Sequence, residues 1–150
     1  GSYACRQVIG RLHDFYTKTK VQPHHRYGVA QEAGREMDSS PPAYARYLNV
    51  LPEEVLFGPS TTQNTYVLAQ AFRELLKPGD EIVVTDQDHE ANSGAWRRLA
   101  EFGVTVREWR VEPETGSLRL GALRELLSEK TKIVAFPHAS NIVGEINPVA

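Results

Sequence analysis

At 150 residues the chain is long enough to bury the core of about one domain, and 41% hydrophobic with 24% charged residues is the balance of a folded globular protein. A formal net charge of -2 removes any electrostatic case for nucleic acid or an anionic membrane surface as partner. No apolar run reaches bilayer length, and the single cysteine, Cys5, excludes a disulfide within the chain and a cysteine-based metal cluster. A cytoplasmic setting without a secretory signal is therefore expected.

Val8, Ile9, Leu12, Phe15 and Tyr16 recur at helical spacing and predict an amphipathic helix over residues 5–20. Residues 21–28 show no periodicity and read as a loop. The adjacent His24 and His25 in it make a poor metal pair, because neighbouring side chains diverge on a strand or a helix. A weak helical pattern over 29–38 then meets Ser39-Ser40-Pro41-Pro42. Interior prolines remove helical hydrogen bonds, so a break is expected there, with a restart from Ser40 through Leu48. The expected organisation is an N-terminal helical segment over residues 1–50 and an α/β domain over 51–150.

Val55-Leu56-Phe57 reads as a short strand, Gly58-Pro59 as a turn, and residues 62–77 as an apolar-periodic helix. The first amides of a helix lack intrahelical partners and sit at the positive end of its dipole. With their hydroxyls, Ser60, Thr61 and Thr62 at this helix start suit a phosphate or other anion. A plain helix cap at Ser60 or Thr61 explains the same residues.

Pro78-Gly79-Asp80 ends that helix, and residues 81–85 form a strand of buried type. A polar loop over 86–93 leads to a helix over 93–102, closed by Gly103, and to a strand over 104–111. Glu112 to Gly116 is a turn by composition, followed by a helix over 120–127 and a strand over 132–136. Strands alternating with helices in this way predict an α/β fold with a mainly parallel sheet and helices on both faces. Ser60-Thr61-Thr62, Asp88-His89 and Ser140-Asn141 each follow the carboxyl end of a predicted strand, the edge where ligands sit in open parallel sheets. Ordinary loop polarity is the competing explanation.

Several of these stretches together resemble the class V aminotransferase family, the cysteine desulfurase-like branch of fold type I pyridoxal-phosphate enzymes. They are Phe57-Gly58-Pro59-Ser60-Thr61-Thr62, the run from Pro78 to Thr85, Asp88-His89-Glu90-Ala91-Asn92 with Trp96, Lys130 to Ala135, and Ser140 to Pro148. The resemblance runs in order through residues 55–148, and His25-Arg26 echoes a His-Arg-Gly element of the family. It implies pyridoxal 5'-phosphate as cofactor and the first half of a fold type I large domain.

Residue by residue, the resemblance gives Ser60, Thr61 and Thr62 the cofactor phosphate. His89 becomes the imidazole stacked on the cofactor ring and the catalytic proton-transfer group, and Asn141 the amide beside the ring hydroxyl. The sequence departs from the family at Ser60, where the family often has glycine, and at Gln63, where it often has an acidic residue.

The implied parent is an enzyme acting on an amino acid, a cysteine desulfurase-like lyase or an aminotransferase, and a homodimer. The family's cofactor-binding lysine and the aspartate that pairs with the pyridine nitrogen follow the Ser-Asn motif. Lys18, Lys20, Lys77, Lys130 and Lys132 stand in other contexts, so these 150 residues alone are expected to be inactive. The alternative is a non-enzymatic α/β binding module that kept the fold. A nucleotide-binding domain ranks lower, because both the Gly-x-Gly-x-x-Gly and the Gly-Lys-Ser/Thr phosphate loops are missing.

Overall fold

The computed structural model describes residues 3–149 and divides the chain into two compact units, Gly1–Phe57 and Gly58–Ala150. In the first unit, helix α1 spans Arg6–Asp14 and continues as a wider π turn over Phe15–Thr19, where the Thr17 hydroxyl donates to the His13 carbonyl at 2.7 Å. An irregular stretch follows, with His24 in the left-handed region at φ 61°. Helix α2 then runs unbroken from Gly28 to Leu48.

The break expected at Pro41-Pro42 does not occur. Both prolines lie inside α2, and the Ser39 and Ser40 hydroxyls each donate to the Glu36 carbonyl at 2.9 Å. Two consecutive prolines remove the amides that would bond Met37 and Asp38, but this stretch is largely solvent-facing, so water can take the freed carbonyls. Asn49 ends α2 in a left-handed cap at φ 56°.

The strand expected at residues 55–57 is also absent. The Glu54 carboxylate accepts from the Leu51 amide at 2.7 Å and winds Pro52–Glu54 into a 3-10 turn. Val55 donates only back to Pro52, and Leu56 is 88% exposed. Without a neighbouring strand to accept its ladder hydrogen bonds, a β-prone tripeptide stays extended coil.

In the second unit, α3 (Thr61–Arg73), β1 (Glu81–Thr85), α4 (Glu90–Arg97), β2 (Thr105–Trp109), α5 (Leu120–Leu126) and β3 (Thr131–Val134) follow in order. The three strands form one parallel sheet in the order β2-β1-β3. Helix α3 stops four residues short of the expected end. The Asp80 carboxylate takes the Lys77 amide at 2.8 Å, and the residue before Pro78 is steered out of helical geometry.

Ile82 and Val84 are fully buried and meet Ala69 of α3 and Ala95 and Trp96 of α4, with Leu99 and Val104 completing the cluster. Gly103, at φ 84°, closes the 3-10 turn Arg98–Phe102 that follows α4. Because Leu99 is fully buried, Leu99→Ala is expected to cost about 2–5 kcal/mol in a urea unfolding experiment, the range for a truncated core leucine.

At the amino end of β1, the buried Glu81 receives Arg107 at 2.7 Å and the Ser128 hydroxyl at 2.7 Å. Arg107 and then Ser128 hold its carboxyl below the usual glutamate range, with burial opposing them. A carboxyl whose folded pKa is depressed contributes stability that is full above its unfolded value and is lost as pH falls through the folded value. On acidification below about pH 4, the wild type should therefore lose urea resistance more steeply than Glu81→Gln. Parallel pH profiles for the two proteins would show that Glu81 contributes nothing to acid sensitivity.

Candidate functional site

Since all three strands run the same way, their carboxyl ends share one edge, and the segments leaving β1 and β3 meet there. A cleft of about 590 Å³ opens at that edge, lined by Thr61, Asp88, His89, Asn92, His138 and Asn141 among others. Of the five site residues expected from the sequence, Thr61, His89 and Asn141 come together on this cleft. Ser60 and Thr62 flank Thr61 but are not among its lining residues.

Ser60 has a local task. Its backbone is extended, and its hydroxyl accepts from the Gln63 amide at 3.2 Å, capping α3. That single cap satisfies the third amide of the helix and leaves the first two. Among the described residues, the amides and hydroxyls of Thr61 and Thr62 make no hydrogen bond. The cap and two unpartnered amides therefore coexist at this helix start. The Asn64 side chain packs directly on Gly58, where a Cβ would fall 1.7 Å from Asn64 Oδ1.

His89 caps the next helix. Its Nδ1 accepts from the Ala91 amide at 3.0 Å, so the neutral ring carries its proton on Nε2. Asp88 holds the approach, accepting from the His89 amide at 2.8 Å and from Asn92 Nδ2 at 2.5 Å. This capped start places Glu90 to Ser93 in α4 rather than in the loop expected over 86–93. Local acceptors for the first amides decide where a helix begins, and a histidine cap lies outside the usual Ser/Thr/Asp/Asn signal.

Asn141 follows the buried Ser140, whose hydroxyl donates to the Gln87 carbonyl at 2.7 Å and accepts from the Ile142 and Val143 amides. Asp88, Asn92 and His138 also line the cleft, beyond the residues expected there from the sequence. The four-residue spacing of Asp88 and Asn92, one helical turn, and the position of His138 after β3 are the signals that could have found them.

The fit to pyridoxal phosphate rests on this donor set. Free helix amides suit a phosphate, an edge-fixed imidazole offers a flat face, and a side-chain amide supplies a donor for a phenolate oxygen. The cleft, about 590 Å³, lies in the range of cofactor-sized pockets.

A parallel α/β sheet with a polar cleft at its carboxyl edge is the arrangement of open α/β domains that bind ligands at that edge. The chain belongs to the aminotransferase class-V family, whose profile matches residues 1–150. It is similar to a cysteine desulfurase of Serratia proteamaculans, 36% identical over 146 residues, covering 95% of this chain and 36% of the relative. It is also similar to the aminotransferase-like protein FGM3 of Gibberella zeae, 34% identical over 151 residues, covering 99% and 37%. Among solved structures, the apo cysteine desulfurase of Thermococcus onnurineus NA1 superposes with a TM-score of 0.82 at 26% identity, covering 97% of this chain and 36% of that one. The chain thus spans little more than a third of the length of these relatives.

The cap made by His89 is open to test by substitution. His89→Ala should cost about 1 kcal/mol in urea unfolding through the lost cap, and His89→Asn should restore most of it, since asparagine caps well. Equal stability for all three proteins would mean the Nδ1 bond contributes nothing to the start of α4.

Proposed function

We propose that this chain forms the phosphate and ring-face side of the pyridoxal-phosphate site of an enzyme acting on an amino acid, as a cysteine desulfurase-like lyase or an aminotransferase. The observation that carries the reading is Thr61, whose amide lacks a protein partner, lining the same cleft as His89 and Asn141. In this reading the amides and hydroxyls of Thr61 and Thr62 hold the phosphate, with the positive end of α3 behind them. Ser60 keeps that helix start in shape through its cap.

The His89 ring would pack on the cofactor face with its Nε2–H directed to the reacting amino acid, and a proton given from Nε2 would be balanced by one taken at Nδ1 once that nitrogen leaves the Ala91 amide. The Asn141 amide donates to the ring hydroxyl oxygen. When bound, the cofactor supplies an electron sink that stabilises negative charge at the amino-acid α-carbon. The cysteine desulfurase relatives favour a sulfur-removing lyase, and the aminotransferase-like relative keeps amino transfer as the second reading.

None of Lys18, Lys20, Lys77, Lys130 and Lys132 lines the cleft, so the 150 residues alone are proposed to hold the cofactor without a covalent link and to be inactive. A homodimer and a cytoplasmic setting complete the proposal. Exposed Val67 and Leu68 on α3 support the first, and the single cysteine supports the second.

The test is an absorbance titration with pyridoxal phosphate, followed by borohydride reduction and mass mapping. Saturable binding without a stoichiometric lysine adduct is expected. Replacing Thr61 and Thr62 together by valine should weaken binding by roughly 1.5–3 kcal/mol for each hydroxyl bond to the phosphate. Superimposable titrations of wild type and double variant, or a stoichiometric adduct on any of the five lysines, would overturn the assignment.

A further inference from the structure

Behind the cleft lies a buried polar knot that the reading above does not use. Gln87 is fully buried, and its hydrogen bonds reach the end of β1, the turn after β2 and, twice, the segment after β3. Its Nε2 donates to the Gly116 carbonyl at 2.8 Å, in the turn after β2. Its Oε1 accepts from Asn147 Nδ2 at 2.6 Å, and its backbone carbonyl accepts from the Ser140 hydroxyl at 2.7 Å. Its own amide donates to Thr85 Oγ1 at 3.1 Å. Asn147 spends its second amide hydrogen on the Pro137 carbonyl at 2.8 Å, and its backbone amide donates to the His138 carbonyl at 2.8 Å.

Gln87 therefore joins the segment after β1 to the segment after β3 and to the 112–116 turn, two residues before His89. Ser140, which it also holds, immediately precedes Asn141. Gln87, Ser140 and Asn147 are not among the cleft-lining residues, so none of the three would touch a ligand there.

We propose that Gln87 is a positioning residue, which with Asn147 sets the separation of His89 and Asn141 across the cleft. The physical reason is that segments leaving two parallel strands have no ladder of their own to fix their spacing. A buried side-chain amide with a donor and an acceptor in opposite directions supplies a strut of fixed length. Losing one partner leaves the other buried and unpaired, so the segments must shift to find water. The proposal rests on the pyridoxal-phosphate reading for its ligand but not for its geometry.

The test uses the intact protein and the variants Gln87→Met, Asn147→Ala and their double, read in two ways. Amide hydrogen exchange without ligand should show loss of protection at residues 138–147, with β1 and β2 amides keeping theirs. Pyridoxal-phosphate affinity, measured where circular dichroism shows each variant folded, should fall roughly tenfold for either single variant. The double should be little worse than either single, because each breaks the same strut.

If Gln87→Met does not fold, Asn147→Ala alone decides, since it breaks the same contact from the other side. Unchanged protection at 138–147, or fully additive losses of affinity, would overturn the positioning role. A wild type that does not bind pyridoxal phosphate at all would overturn the function proposed above, while the exchange measurement would still decide the role of Gln87.

Discussion

In a parallel sheet the crossover helices cover the faces while neighbouring strands take the edges, so the middle of a central strand is apolar throughout. Strand β1 satisfies this with Ile82, Val83 and Val84, and all five of its residues are buried between β2 and β3. The rest of the second unit depends on that constraint. Ile82 and Val84 give α3 and α4 a surface to pack on. The common direction of the strands sends every following segment to one edge. The polar residues of β1 fall at its two ends, where partners exist: Glu81 meets Arg107 and Ser128, and the Thr85 hydroxyl takes the Gln87 amide.

The two edges of the sheet thereby take different tasks. At the amino edge, charge is matched by charge and closed off, with Glu81 receiving donors from β2 and from the turn before β3. At the carboxyl edge, the buried groups Gln87, Ser140 and Asn147 satisfy one another. The groups in front of them, including Thr61, His89 and Asn141, face open space. Satisfied polar groups behind and available ones in front are the conditions under which a site keeps its shape before a ligand arrives.

Helix starts supply much of that front row. Ser60 and His89 each cap a helix with one side-chain acceptor. A cap of this kind satisfies one amide of the first turn and leaves others directed out of the helix. For α3 this leaves the amides of Thr61 and Thr62 without a protein partner. For α4 it fixes an imidazole by one nitrogen and leaves the other free. Thr61 and His89, at the starts of α3 and α4, both line the cleft.

Residue pattern alone was enough for the elements whose signal is local. Residues 81–85 read as a buried strand because a continuous apolar run needs cover on both faces, and α3, β2 and α5 followed from periodicity and from Gly103 or Pro78 as punctuation. Thr61, His89 and Asn141 were legible as a set because each follows a strand-like run and because the motifs resemble one family. Tertiary structure decided what depends on a partner distant in sequence. Val55-Leu56-Phe57 has strand residues but no strand beside it, and so remains coil. Pro41 and Pro42 sit inside α2 because the carbonyls they leave free, those of Met37 and Asp38, lie on exposed residues that water can reach. Gln87 read as one more polar loop residue, and became a buried strut only when residues 116, 140 and 147 were folded around it. Periodicity and capping act over a few residues and are written in the order of the chain. Burial and hydrogen-bond satisfaction across 29 to 60 residues of separation exist only once the sheet has brought those segments together.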